Sequence, residues 1–79
     1  MSDEERLREI FLEHLDMDEA DYDPEATPDS LSLDSLEMLE IVMEIEEEFG
    51  IHLNEEDLSQ EDTLGQIVEK ILDIIEKRR

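Results

Sequence analysis

The residue best placed to do chemistry is Ser35, whose hydroxyl lies between Asp34 and Leu36 at the head of LDSLEMLEIVMEIEEEFG, residues 33 to 50. Hydrolysis by serine needs a base and an acid to orient it. The chain holds only two histidines, His14 and His52, and has no G-x-S-x-G elbow, so self-contained serine catalysis is not expected. A thiol nucleophile and a thiolate metal site are excluded because there is no cysteine. The carboxylates also lack metal-ligand spacing. A calcium loop begun at Asp16 puts Asp21 where glycine belongs and Thr27 where the bidentate glutamate belongs. No metal site is expected beyond loose cation association. What remains for Ser35 is a helix cap, the commoner role of a serine after a loop, or modification by another enzyme.

The elements that position Ser35 follow from the apolar period, which is helical throughout. Ser2-Asp3-Glu4-Glu5 reads as a capping box. Leu7, Ile10, Phe11 and Leu15 then make one stripe of a first helix, with His14 at its border as a structural residue. From Asp16 to Leu33 the period is lost. Pro24, Pro28 and many Asp, Ser and Thr mark a long loop, with Tyr22 and Leu31 as its expected anchors. A second helix starts at Asp34-Ser35-Leu36-Glu37 and stops at Gly50. Asn54 can cap a short helix through Leu58. Thr63-Leu64-Gly65-Gln66 opens the last one, which turns Leu64, Ile67, Val68, Ile71, Leu72 and Ile75 inward and ends on Lys77, Arg78 and Arg79. No strands or repeats are expected. The expectation is a small all-α, four-helix bundle of three longer helices and one short one, a single domain over residues 1–79.

On a wheel of ~100° per residue, the second helix carries two apolar faces. Met38, Ile41, Val42, Ile45 and Phe49 fall within roughly 140–240° of Leu36 and form a core stripe. Leu36, Leu39 and Met43 fall on nearly the opposite side, bordered by Glu37, Glu40, Glu44, Glu47 and Glu48. A helix packed on one side has no folding reason for a second stripe. Apolar anchors beside steering acids suit a docking face, and the competing reading is of scattered surface residues with Leu39 covered by the loop.

Composition sets the outer limits. The chain has 79 residues, with six Lys+Arg against 27 Asp+Glu, for a net charge of -21. One small core is all this length supports. Such a charge disfavours nucleic acid and anionic membranes and calls for partners with basic patches. Residues 9 to 69 contain no Lys or Arg at all, yet 38% apolar residues at regular spacing argue against disorder. With no leader-like or membrane-spanning stretch, a cytosolic monomer is the simplest expectation.

Leu31-Ser32-Leu33-Asp34-Ser35-Leu36, followed by E-x-x-x-E-x-E-E-E-F-G from Glu40 to Gly50, resembles the D-S-L site and second helix of the acyl carrier protein family. The resemblance extends over nearly the whole chain. It implies a carrier, not an enzyme, in which Ser35, flanked by Asp34 and Leu36, receives 4′-phosphopantetheine covalently from coenzyme A through a phosphopantetheinyl transferase. The thiol of that arm would then hold acyl cargo as a thioester. The implied partners are that transferase and acyl-transfer or condensing enzymes of fatty-acid or related biosynthesis. They would read Leu36, Glu37, Leu39, Glu40, Met43, Glu44 and Glu47. A carrier of amino-acid or polyketide intermediates, and an acidic interaction module with no prosthetic group, remain open. The chain departs from the family at Ser32, where glycine is frequent, and at Thr27 and Pro28, where a large apolar residue is common. It also departs at Glu61, where an apolar residue helps wall the acyl pocket and a carboxylate is expected to open or shorten it.

Overall fold

The computed structural model describes residues 2–54, 58–59 and 61–78, and among these the chain is all-helical. Helix α1 spans Asp3–Leu15, α2 spans Ser35–Phe49 and α3 spans Leu64–Arg78, with a short 3-10 turn at Glu19–Asp21. The short helix expected from Asn54 to Leu58 falls on Glu55, Glu56 and Asp57, outside the described residues.

Each helix starts on a side chain that takes an orphan backbone donor. Ser2 Oγ accepts the Glu5 N–H at 3.2 Å and donates to the Glu5 carboxylate at 3.3 Å, so the glutamate reaches the hydroxyl. At α3 the box is reciprocal: Thr63 Oγ1 accepts from Gln66 N–H at 3.2 Å, and Gln66 Oε1 accepts from Thr63 N–H at 2.9 Å. Helix α2 is capped by Asp34, whose Oδ1 accepts from Glu37 N–H at 2.8 Å. Ser35 is thus the first helical residue and not the cap. Gly50 ends α2 in the left-handed conformation, φ +64°.

Helix α1 packs against both α2 and α3. Leu7, Ile10 and Phe11 meet Met38, Ile41 and Ile45 of α2, and Leu64, Ile67, Val68, Ile71 and Ile75 of α3, in one buried cluster. Val42, Phe49 and Leu72 lie at its edge, half-buried. The stripes read from the sequence therefore form the core.

The segment between α1 and α2 is irregular but firmly held. Tyr22 and Leu31 pack on the core as expected, while Pro28 and Leu33 are the deeper anchors. Pro28 supplies the apolar bulk at this point of the loop. Thr27 and Ser30 exchange hydrogen bonds at 3.0 Å, and Leu33 N–H reaches Pro28 O at 2.9 Å. The first N–H groups of α3 clip the loop from the other side, with Leu64 donating to Ala26 O at 2.8 Å and Gly65 to Pro24 O at 3.0 Å. A Cβ on Gly65 would meet Pro24 O at 3.3 Å, so the close approach needs glycine there.

Ser32 lies at φ +60°, in the left-handed region that costs an L-residue roughly 1–2 kcal/mol. Glycine returns about 0.5–1 kcal/mol of this through its freer unfolded chain. Ser32→Gly is therefore expected to raise stability by about 0.5–1 kcal/mol in a denaturant melt. A lower midpoint would mean the serine side chain stabilises the bend.

Candidate functional site

Ser35 is exposed at the first position of α2, where the loop clipped to α3 delivers it. Asp34 takes the Glu37 N–H, and the N–H groups of Ser35 and Leu36 belong to the first turn, which has no intrahelical acceptors for them. That end of the helix favours negative charge.

A groove of about 570 Å³ runs from Ser35 between α2 and the segment that follows it. On the α2 side Ser35, Met38, Leu39, Val42 and Glu46 recur at helical spacing; Leu53 and Leu58 are among the residues opposite, with His52 and Asn54. Glu46 Oε2 accepts from Leu53 N–H at 2.8 Å and lies 3.2 Å from His52 Nδ1. Glu61 is exposed, its N–H donating to Ser59 Oγ at 3.1 Å. Glu61 is not among the residues that line the groove, whose polar ones are Ser35, Glu46, His52 and Asn54; the sequence reading did not single out Glu46 for this place, and its position on the helix wheel beside Leu39 was the available signal.

The second stripe of α2 is bare. Leu36, Leu39 and Met43 are 64%, 48% and 57% exposed and are the large exposed apolar residues among those described. Leu39 is not covered by the loop. The acids beside them divide into two sets. Glu37, Glu40 and Glu47 are exposed, whereas the others turn to α1: Glu48 accepts from Arg6 Nε at 2.5 Å, and Glu44 contacts His14 Nε2. Arg6 also meets Glu9 at 2.9 Å. These carboxylates, with the hydrogen bond from Arg6 to Glu48 first among the causes, hold the guanidinium pKa above its usual value. Glu44, expected on the docking face, is thus partly engaged in holding α1 to α2.

Residues 5–71 match the phosphopantetheine attachment site family. The whole chain is 38% identical, over 80 residues and 97% of the relative's length, to the acyl carrier protein of Solidesulfovibrio magneticus. The chain belongs to the acyl carrier protein family. Its function is accordingly that of a carrier whose family bears phosphopantetheine, working with enzymes that handle acyl groups. No helix among the described residues is long and apolar enough to cross a membrane.

The carrier's residues fit that group. An exposed hydroxyl on the first turn of α2 offers an attachment oxygen, the helix end tolerates a phosphodiester charge, and a largely apolar groove begins at the same residue. The nearby Asp34 carboxylate is turned to the Glu37 N–H.

Among the described residues no three His, Asp or Glu side chains converge as a metal-ligand set. The basic side chains stand at the two ends of the sequence, leaving much of the carrier negative. Added NaCl or Mg²⁺ should therefore raise its melting temperature by about 4–8 °C, the equivalent of ~1 kcal/mol for a chain this size. Melting insensitive to both would mean that local pairs already offset the repulsion.

Proposed function

We propose that Ser35 is the attachment point of 4′-phosphopantetheine and that this chain carries acyl intermediates of fatty-acid or related biosynthesis on that arm. The observation that carries the assignment is the exposed Ser35 hydroxyl at the head of α2 and at the mouth of the groove. A phosphopantetheinyl transferase transfers the arm from coenzyme A to Ser35 Oγ, and the base and metal for that step belong to the transferase. The group's own contribution is a terminal thiol that holds the cargo as a thioester. Asp34 fixes the helix end beneath the arm, and Leu36 stands beside it.

The partner surface is Leu36, Leu39 and Met43 with Glu37, Glu40 and Glu47, and Glu44 at its margin. Its apolar anchors are available for burial and its free acids suit a basic patch. The partners are the transferase and acyl-transfer or condensing enzymes. The chain acts as one domain in the cytosol. Incubation with coenzyme A and a promiscuous transferase, followed by intact mass, tests the assignment. One arm per chain is expected, and no gain in mass would refute it.

A further inference from the structure

We propose that Met43 is an oxidation site, at which hydrogen peroxide converts the thioether to a sulfoxide and so loosens partners from the exposed face of α2. The inference rests on the reading of Leu36, Leu39 and Met43 as a partner surface and adds a modification that controls it.

The chain has four methionines and no cysteine, so before an arm is attached its sulfurs are all thioethers. The methionines among the described residues are placed very differently. Met38 is buried in the core cluster, Met17 is half-buried beyond the end of α1, and Met43 is 57% exposed and stands outside that cluster. Leu39, Glu40 and Glu47, about one turn to either side of Met43, are exposed as well, which leaves the side chain open to solvent. Oxidation follows exposure. A lone pair on the sulfur attacks one peroxide oxygen, the O–O bond breaks as the S–O bond forms, and the sulfur gives up two electrons. The other oxygen leaves as water and takes both hydrogens.

The product replaces an adaptable apolar anchor with a polar group that accepts hydrogen bonds. In the free chain the sulfoxide stays hydrated and costs the fold little. Under a partner it must shed that water against an apolar surface. Glu40 and Glu47 keep their charges, so the approach of a basic partner is preserved and the loss falls on the lifetime of the complex.

The test treats the unmodified chain with hydrogen peroxide, removes the excess with catalase, and measures binding to a phosphopantetheinyl transferase in the absence of coenzyme A. Peptide mass mapping is expected to find the first added oxygen of the described methionines on Met43, with Met38 intact. Dissociation should speed up by about 10-fold with association and melting unchanged, and methionine sulfoxide reductases, one for each epimer, should restore it. Met43→Leu has no sulfur at this position, and each protein is compared with its own untreated form, so treatment should leave its dissociation rate where it started. Oxidation of Met38 before Met43, an equal effect of treatment on Met43→Leu, or a Met43 sulfoxide that dissociates no faster although Met43→Ala does, overturns the inference alone. An untreated Met43→Ala chain that dissociates no faster than the parent overturns the partner surface at this residue and the inference with it.

Discussion

Ser35→Ala is expected to abolish the gain of phosphopantetheine completely and to leave the melting temperature nearly unchanged. The cap of α2 is Asp34, whose Oδ1 takes the Glu37 N–H at 2.8 Å. Ser35 is exposed at the first helical position, where alanine is at least as good a helix former. Asp34→Ala should do the reverse. It retains the hydroxyl but loses the cap, at a cost of about 1 kcal/mol, or about 4–8 °C in a chain of this size. The two variants separate attachment from helix capping. A modified alanine variant would place the arm elsewhere. A Ser35→Ala chain that melts as low as Asp34→Ala would make the serine a structural residue.

The three long helices were legible because each carries an apolar stripe at a period of three and four, and the same residues, Leu7, Ile10 and Phe11 against Ile41, Ile45, Ile67 and Ile71, are buried together. Helix ends were legible from Ser2, Gly50 and Thr63. The start of α2 was only partly so. Asp34 and Ser35 can both cap, and the choice depends on which backbone N–H each reaches once the loop has set the entry angle. The loop itself has no period to read. Tyr22 and Leu31 stand out by type, but Pro28 and Leu33 are the residues the clip to α3 carries inward.

The site was legible at Ser35 and in the second stripe of α2, since no packing of a one-sided core could bury Leu36 and Met43. The division of the acids was not. Glu44 and Glu48 lie within about 100° of Glu47 on the wheel, and only the approach of α1, bringing Arg6 and His14, assigns those two to the interior contact. The groove was illegible for a similar reason. Its far wall is a segment without a helical period, so nothing in the sequence pairs His52 with Glu46.

Reversing Glu40 and Glu47 to lysine should slow association with the transferase at low ionic strength by about 10-fold or more, within the ~10 to 1,000-fold that electrostatic steering supplies. Both side chains are exposed, and neither takes part in the ties from Arg6 and His14, so helicity and melting should hold. The defect should fade as salt screens the approach. Met43→Ala should act differently, since an apolar anchor is felt after contact: dissociation speeds up and salt matters little. Ile45→Ala is the control for misfolding. Its side chain is fully buried, and its loss should cost ~2–5 kcal/mol through lost burial and a cavity. Stopped-flow association at low and high salt, with melting of each variant, checks the set. If the double reversal leaves the low-salt association rate unchanged, the free acids of α2 are a solvated surface and partners recognise the loop or the arm instead.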